Sequence, residues 1–331
     1  MSSPVAPPTV LVTAVGGIIG QGLLRSLRAA GQPLRVLGLD REPECPFAAW
    51  CDGFHAKPGL AEEDGAYLQW WLDLVDREGI GLVLPGHDAD VEFLDRNRAA
   101  LRAAGPRLAL DRSELVQLCR DKFTLGQALA PQGIDVIPAV LPTTMASALA
   151  QLGAPPLVIK PRRGSGSRGV AVLRDAQDFD YWVPRTQDPM LQRLVGTDDE
   201  EYTVGVFGFG DGTAHGPLVF RRRLGPSGAT GEAVVVDDPV VAAASARLTA
   251  LLSPSGPCNY QFRKSGGKAW LLEVNPRFSS SNSLRTAFGF NEAAMAVDWF
   301  LRGVRPAVPH LRKGRAWRYS EDIVRHVGDP F

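Results

Sequence analysis

The chain of 331 residues is longer than an average domain, so it predicts about two domains, or one domain with a large insertion. Hydrophobic residues make up 45% and charged residues 22%, which excludes a largely disordered chain. Lys plus Arg number 36, as do Asp plus Glu, so the formal net charge is zero and no global field attracts nucleic acid or an anionic membrane. Any anion-binding site must therefore be local.

The four cysteines indicate reduced thiols and not a disulfide framework, because they form no CxxC pair and are few for this length. Cys45, Cys51 and His55 lack the spacing of a metal site. The amino terminus has no basic stretch followed by an apolar run, and no segment approaches about 18 consecutive apolar residues. We therefore expect a soluble, cytoplasmic protein.

The amino-terminal third alternates strand and helix patterns. The first strand leads into a glycine turn at residues 16–22, and a helix and a second strand follow. This βαβ order predicts a parallel sheet, in a first domain that ends near residue 112. The predicted strands are 10–15, 34–39 and 80–84, and the predicted helices are 23–30, 67–77 and 90–104.

Two short helices are predicted next. The sequence DRSE from Asp111 to Glu114 has the form of a capping box, in which side chains satisfy the first backbone N–H groups of a helix. Asp121 is placed to cap a second helix, which contains Lys122.

The remaining chain has an antiparallel character. Asp211-Gly212 and Gly266-Gly267 both stand between apolar β runs, as tight hairpins require. The predicted strands are 157–160, 170–173, 190–194, 202–209 and 217–223, and the predicted helices are 239–252 and 291–301. The fold class is therefore α/β followed by α+β.

A basic glycine loop follows the strand that ends at Lys160. This loop, in the sequence VIKPRRGSGSRGV, contains Gly164, Ser165, Gly166 and Gly169. Backbone N–H groups of such a loop can cradle polyphosphate, and the lysine supplies a point charge. A flexible hairpin with solvated arginines is the alternative, and the loop alone does not decide between the two.

A later hairpin, residues 260–277, collects side chains that carry oxygen atoms. Period-two alternation places Glu273 and Asn275 on one face of its second strand, and Gln261 on the first strand is the expected neighbour. Carboxylate and amide oxygens suit Mg²⁺, which takes further ligands from water and phosphate. Arg277 follows the strand end, where it can reach the same anion. An edge hairpin with polar residues in water is the alternative.

These motifs, in this order, resemble those of ATP-grasp proteins, and the chain is similar to single-unit relatives of the large subunit of carbamoyl-phosphate synthase. The resemblance spans residues 9–303. It implies an ATP-grasp fold with an amino-terminal Rossmann-like domain at 1–112. A small subdomain with the phosphate loop would follow at 113–189, and a large subdomain with the adenine hinge and the metal site at 190–331.

The resemblance implies a nucleotide site. The segment CRDK, which ends at Lys122, resembles the first nucleotide-binding lysine of the family, and Lys160 with the loop at 164–169 resembles the second lysine and its phosphate loop. In MLQRLVG, Gln192 and the backbone around Leu194 resemble the hinge strand that binds adenine. ATP is therefore the expected nucleotide.

Further roles are implied for acidic, amide and arginine side chains. Glu201 resembles the residue that binds ribose, and Glu200 is an alternative because the acidic stretch before it is long. Arg277 would lie beside the transferred phosphoryl group, with Lys160 as the second catalytic residue. The implied ligands of Mg²⁺ or Mn²⁺ are Gln261, Glu273 and Asn275.

The implied activity is that of an ATP-dependent ligase, which forms an amide or peptide bond through an acyl phosphate and releases ADP and phosphate. The expected partners are a small carboxylate and an amine, one of which could be an amino acid, and a homodimer is one expected assembly. Nucleic acid and membrane are not expected partners. A single ATP-grasp unit without a glutamine-hydrolysing portion argues against synthesis of carbamoyl phosphate itself.

Several side chains are candidates for substrate contact. His87 and Asp88 follow a strand at the edge where open α/β sheets bind ligands, although a helix cap is an equal alternative. Arg221 and Arg223 alternate with Arg222 on one strand and either hold a substrate carboxylate or face solvent. Ser279 lies in a serine-rich loop that either shapes the pocket or caps the next helix.

A nicotinamide-dependent oxidoreductase or epimerase is a rival interpretation, and a non-catalytic ATP-binding module is another. The glycines at 16, 20 and 22, with Asp40 at the end of the next strand, have the form of a dinucleotide site. Tyr260 and Lys264 have the YxxxK spacing of short-chain dehydrogenases. However, they fall on a predicted strand, whereas that chemistry needs a helix.

Overall fold

The computed structural model describes residues 6–164, 166, 168–324 and 326, and these residues form three β-sheets in succession along the chain. The strands are β1 Thr9–Thr13, β2 Arg35–Asp40, β3 Gly53–Ala56, β4 Ile80–Leu84, β5 Arg107–Leu108, β6 Ala139–Val140, β7 Leu157–Pro161, β8 Ala171–Leu173, β9 Pro189–Arg193, β10 Glu201–Phe209, β11 Ala214–Leu224, β12 Thr230–Val235, β13 Ser255–Ser265, β14 Lys268–Asn275 and β15 Arg315–Trp317. The helices are α1 Ile18–Ala30, α2 Gly65–Glu78, α3 Asp88–Arg96, α4 Arg98–Ala103, α5 Ser113–Arg120, α6 Lys122–Leu129, α7 Met145–Leu152, α8 Ala176–Trp182, α9 Pro239–Leu252, α10 Asn282–Ala287 and α11 Glu292–Ala296.

The first sheet is parallel, in the order β3-β2-β1-β4-β5, as the βαβ pattern predicts. All five residues of β1 are buried, which explains its continuous apolar sequence. Helix α1 begins at Ile18, inside the predicted glycine turn, and ends at Gly31, whose φ of 60° is the left-handed conformation that glycine adopts readily.

Two local predictions in this region are wrong. The predicted helix 90–104 is two helices, which meet at Asn97 with φ −102° and ψ 15°. The capping box at Asp111 does not form, because α5 begins at Ser113 after Arg112. Instead, the Asp111 carboxylate accepts hydrogen bonds from the backbone N–H groups of Arg112 and Ser255. Burial raises the pKa of Asp111 to about 6.

The second sheet is antiparallel, in the order β6-β9-β7-β8. Leu157 and Ile159 of β7 are buried in a core cluster with residues of α7 and α8. The alternate residues Val158 and Lys160 therefore lie on the opposite face. This face borders a cleft that the third sheet closes from the other side.

The third sheet has six antiparallel strands, in the order β14-β13-β10-β11-β12-β15. Its two faces belong to different cores. One face packs against α9, which matches the predicted helix 239–252, and the other packs against α11 and the helix of the first sheet, α1. The predicted helix 291–301 is α11 followed by a π-helical turn at Val297–Leu301.

A single core cluster joins the first and third sheets. It contains Val10 and Leu24 from the amino-terminal part and Phe207 and Phe290 from the carboxyl-terminal part. The division into domains at residues 112 and 189 stays a prediction. No helix within the described residues is long and apolar enough to cross a lipid bilayer. All four cysteines are free thiols.

Candidate active site

Lys122 connects the phosphate loop to the strand with the candidate metal ligands. Its Nζ donates a hydrogen bond of 2.6 Å to the carbonyl oxygen of Gly164 and lies 3.4 Å from Oε1 of Glu273. The lysine is held here because α6 begins with it. Asp121 caps that helix, as predicted, by accepting from the N–H groups of Phe123 and Thr124. The lysine therefore lies between the two motifs that the sequence singles out.

Lys160 faces the same cleft from β7. Burial lowers the pKa of its ammonium to about 8, and the charges of Lys122 and Arg263 add to this lowering, although Glu273 opposes it. Two lysines, Lys122 and Lys160, therefore lie near the single carboxylate of Glu273, and this excess of positive charge attracts a polyanion.

The loop after Lys160 has an open face. Gly164, Gly166 and Gly169 have φ angles of 120°, 68° and 71°, which glycine adopts more easily than other residues. A Cβ atom built on Gly164 or Gly166 would meet nothing within 4 Å. The loop can therefore accept a ligand against its backbone. Ser165 lies outside the described residues.

The candidate metal ligands lie on one face of the β13–β14 hairpin. Gln261 pairs with Glu273 and Asn259 pairs with Asn275, so the strand register gives the predicted arrangement. Oε1 of Gln261 accepts a hydrogen bond of 2.8 Å from Arg222. The described residues contain no group of three or more His, Cys, Asp or Glu side chains that could hold a metal ion. A cation here would therefore use one carboxylate with amide oxygens and phosphate oxygens, and this donor set fits Mg²⁺.

Arg277 lies at the end of this hairpin. Its Nε and Nη2 both donate to the carboxylate of Asp88, and Nη2 also donates to Oδ1 of Asn275 at 3.1 Å. Burial alone would lower the pKa of Arg277, but the charge of Asp88 and its hydrogen bonds raise it above the ordinary value. The guanidinium is therefore charged and fixed in orientation.

Comparison with known proteins agrees with this geometry. Residues 187–323 match a family model described as ATP-grasp in the biosynthetic pathway with Ter operon. Over 92% of this chain, the fold is similar to that of N5-carboxyaminoimidazole synthetase from Staphylococcus aureus in complex with ADP. The TM-score is 0.72, the identity is 16%, and 80% of that chain is covered. The carboxyl-terminal part of the chain therefore matches an ATP-grasp family model, and the fold is similar to that of an ADP-binding synthetase over most of the chain.

Two further comparisons are informative. The L-amino acid ligase from Bacillus licheniformis has a TM-score of 0.69 and 16% identity, with 90% of this chain and 75% of that chain covered. The uncharacterized protein y4rH of Sinorhizobium fredii is 31% identical over 189 residues, which are 51% of this chain. The chain spans only 38% of the length of that relative.

The two acidic residues that are predicted to bind ribose, Glu200 and Glu201, have different surroundings. Glu201 is buried, and both of its oxygens accept from arginines, Oε1 from Arg222 and Oε2 from Arg263. A ribose hydroxyl would have to share this carboxylate with two cations. Glu200 is exposed on the 3-10 turn before β10. The role of either residue in binding ribose stays a prediction.

The structure gives the orientation of the arginine triplet, and it favours the solvent-facing alternative for Arg221 and Arg223. Arg222 faces the cleft, whereas Arg221 and Arg223 are exposed on the other face, and Arg223 pairs with Asp199. The sequence does not show which arginine faces which side of the strand, because both faces of the preceding segment are buried and no apolar alternation precedes the triplet. Arg222 is the functional candidate that sequence reasoning missed.

Of the two residues predicted to form the hinge, Gln192 lines a cavity. Gln192 is buried on β9, and its Nε2 donates to the carbonyl oxygen of Ile137 at 3.5 Å, whereas Leu194 is half-buried just beyond the strand. A cavity of about 530 Å³ is lined by Lys122, Gln192 and residues of α6 and β14. Its position fits the predicted adenine site.

The remaining substrate candidates have local structural roles. His87 is exposed and caps α3, because its Nδ1 accepts from the N–H of Ala89 at 3.1 Å. Ser279 is buried, and its Oγ accepts from the N–H of Ser281. Within the part of the chain that the structure describes, Asp88 is the only one of these three residues that contacts Arg277. Contact of any of them with substrate stays a prediction.

The features of the dinucleotide alternative have structural explanations. The carboxylate of Asp40 accepts from the N–H of Gly16 at 2.7 Å, and Asn282 occupies the space beside Gly22. The hydroxyl of Tyr260 faces Thr249, and Lys264 is part of β13. The glycine turn therefore serves packing, and the YxxxK spacing lies on a strand.

The switch point of the parallel sheet, between β1 and β4, is also filled. Thr13 donates to Asp90 at 2.5 Å and accepts from the N–H of Gly86, and Lys57 pairs with the same aspartate. All of these side chains are buried. An open sheet of this kind binds dinucleotides in the crevice at that point. The network closes the crevice.

Proposed function

We propose that this protein is an ATP-dependent ligase that joins a carboxylate to an amine through an acyl phosphate. The observation that carries the proposal is the position of Lys122, whose ammonium group contacts both the phosphate loop and Glu273. The solved structures of an ADP complex and of an L-amino acid ligase with the same fold support it.

Lys122 and Lys160 bind the phosphates of ATP in this proposal. The pKa of Lys160, about 8 in the free protein, leaves it mostly protonated at pH 7, and a neighbouring phosphate would raise that pKa further. The loop at 164–169 supplies backbone N–H groups over the terminal phosphates. Phosphoryl transfer requires mainly positioning and charge neutralisation, and these residues supply both.

Glu273, Asn275 and Gln261 would hold Mg²⁺ or Mn²⁺, which neutralises phosphate charge when bound. Arg222 orients Gln261 by donating to its Oε1. A carbonyl oxygen has two lone pairs, so this bond leaves one for a cation. Arg277 holds Asn275 in the same way.

The reaction has two steps. A carboxylate oxygen of the first substrate attacks the γ-phosphorus, and the bond to the bridging oxygen breaks to release ADP. The amine of the second substrate then attacks the acyl carbon, phosphate leaves, and the amine proton passes to solvent. Arg277 is placed to stabilise the negative charge that develops on the transferred group.

Ligand-induced thermal stabilisation tests the nucleotide class. A ligand at one hundred times its dissociation constant adds about 2.7 kcal/mol to the free energy of unfolding. We expect a melting shift with MgATP and none with NAD or NADP. A shift with NAD and none with MgATP would overturn the proposal.

A screen of carboxylates against amines, with ADP release as the readout, tests the reaction. Amino acids are the first compounds to try in both positions, since one solved relative is an L-amino acid ligase. We expect ADP and phosphate as products in equal amounts. AMP with pyrophosphate would rule out the acyl phosphate, and MgATP binding without turnover in any pair would favour a non-catalytic module.

A further inference from the structure

Asp88 and Arg277 form a contact between the first and third sheets. Asp88 is the first residue of α3, which follows β4, and Arg277 follows β14. Nε of Arg277 donates to Oδ1 of Asp88, and Nη2 donates to Oδ2 at 3.2 Å. The two residues are 189 positions apart, so this paired contact exists only in the folded protein.

The rest of the guanidinium group is held by the candidate site. Nη2 also donates to Oδ1 of Asn275 at 3.1 Å, and Nη1 donates to the carbonyl oxygen of Phe278 at 2.8 Å. A planar guanidinium that is fixed along one edge by a carboxylate presents its other edge in a set direction. The orientation of Arg277 therefore depends on a residue of the first domain.

The electrostatic surroundings favour a stable pair. Asp88 lies in the first turn of α3, where the helix dipole favours a negative charge. The side chain of Arg277 is 11% exposed and that of Asp88 is 37% exposed. The carboxylate of Asp88 therefore pairs with a nearly buried cation and is itself partly solvated. Removal of the carboxylate would leave a nearly buried charge without its main partner.

We infer that Asp88 is a positioning residue, which orients Arg277 toward the phosphoryl group that is transferred. This inference rests on the proposed function. It gives Asp88 a role through Arg277 and not through contact with the substrate. It also makes the first domain part of the phosphoryl-transfer machinery.

The experiment measures binding of MgADP to the full-length protein, with and without beryllium fluoride, which occupies the position of the γ-phosphoryl group. The variants are Asp88→Asn, Asp88→Glu, Arg277→Lys and the double variant Asp88→Asn/Arg277→Lys. We expect Asp88→Asn to lower the affinity for MgADP alone by less than it lowers the gain from beryllium fluoride, because Asp88 contacts the candidate metal site through Arg277. The affinity gained from beryllium fluoride should fall about tenfold in Asp88→Asn and in Arg277→Lys.

The double variant decides how Asp88 acts. If the aspartate acts through Arg277, the double variant loses no more than Arg277→Lys alone, and Asp88→Glu recovers part of the gain. Glu92→Gln is the matched control, since Glu92 lies on the same helix and pairs with Arg120 at 2.7 Å in an exposed position. We expect this control to behave as the wild type.

Several outcomes would overturn the inference. If the losses of beryllium fluoride affinity in the two single variants multiply in the double variant, Asp88 acts on the ligand directly. A full beryllium fluoride response in Asp88→Asn, or no response in the wild type that still binds MgADP, would remove the role altogether. Failure of the wild type to bind MgADP would overturn the proposed function and the inference with it. If Asp88→Asn does not fold, Asp88→Glu provides the same comparison with Arg277→Lys.

Discussion

Two glycine-rich turns of similar appearance in the sequence have opposite roles in the structure. In the turn of residues 16–22, the space beside the glycines is filled. A Cβ atom on Gly20 would lie 2.2 Å from the carbonyl oxygen of Ala14, and one on Gly22 would lie 1.9 Å from Oδ1 of Asn282. In the loop of residues 164–169, a Cβ on Gly164 or Gly166 meets nothing within 4 Å. Glycine in the first turn permits close packing, whereas glycine in the second leaves room for a ligand.

The largest effect is expected for Glu273→Gln, which tests whether the loop of residues 164–169 lies beside an active site. Glu273→Gln keeps the shape of the side chain but removes the charge opposite Lys122. We expect at least about a hundredfold loss of turnover, or about 3 kcal/mol, because a charge-stabilising group is lost. The dependence of ADP affinity on Mg²⁺ should weaken in parallel, and this is measured by calorimetry with and without chelator.

Glu232→Gln is the control for this change. Glu232 lies on β12 of the same sheet and pairs with Arg315 at 3.4 Å. We expect it to change stability by no more than about 0.5 kcal/mol and to leave turnover unchanged. Equal behaviour of the two variants would show that the active site lies elsewhere.

The next effect concerns the first turn. Gly22→Ala places a methyl group against the buried Asn282, so we expect the free energy of unfolding to fall by about 1–3 kcal/mol. Denaturant unfolding measures this change. The MgATP-induced melting shift should remain, because this turn does not bind the nucleotide. Normal stability with lost MgATP binding would reverse the roles of the two turns.

The pH dependence of nucleotide affinity tests whether Lys160, which precedes the loop of residues 164–169, contacts phosphate or has only a structural role. Because the pKa of Lys160 is lowered to about 8, the free protein loses this proton as the pH rises through 8, while bound phosphate favours the protonated form. MgADP affinity should therefore fall about fivefold between pH 8 and 9, as proton linkage requires. Lys160→Arg stays charged throughout, so its affinity should be flat over this range.

The effect of the same titration on the free energy of unfolding has the opposite sign. The unfolded chain binds more protons than the native state between pH 8 and the ordinary lysine pKa of about 10.5, so this group makes the protein relatively more stable as the pH rises there. Without nucleotide, Lys160→Arg should lack this contribution. A wild-type affinity that is independent of pH would show that Lys160 does not contact phosphate.

The smallest effect comes from a glycine that belongs to a helix and lies on the wall of the 530 Å³ cavity. Gly126 lies inside α6, and a Cβ atom there meets nothing within 4 Å. Gly126→Ala should therefore stabilise the protein by about 0.5–1 kcal/mol through helix propensity alone. Calorimetry should show a melting temperature that rises by roughly 1–3 °C. A decrease in melting temperature would mean that open space beside a glycine does not predict whether a larger side chain is tolerated there. The contrast between the two turns would then be weaker.

Much of the fold follows from local sequence patterns. The parallel order of the first sheet, the helix Pro239–Leu252 and the hairpins at Asp211-Gly212 and Gly266-Gly267 were predictable, because periodicity and turn residues act within short segments. The break at Asn97 was not predictable. The helical pattern continues through it, and only the backbone geometry shows where α3 ends.

The candidate site divides in the same way. Glu273 and Asn275 share a face because any strand alternates, so their arrangement follows from the sequence. The pairing of Arg222 with Glu201 and of Asp88 with Arg277 depends on how distant elements pack. No local pattern encodes such pairs, so the sequence alone predicts neither contact.

The insertion of Asn282 beside Gly22 has a consequence for movement. Asn282 also donates to the carbonyl oxygen of Ile19, and Asn291 donates to that of Ser26, so α1 is bound to the helices that pack on the third sheet. The first and third sheets are therefore held together by these hydrogen bonds as well as by their shared core. We expect any opening of the cleft to move the four-stranded sheet, with Lys160, relative to the other two sheets.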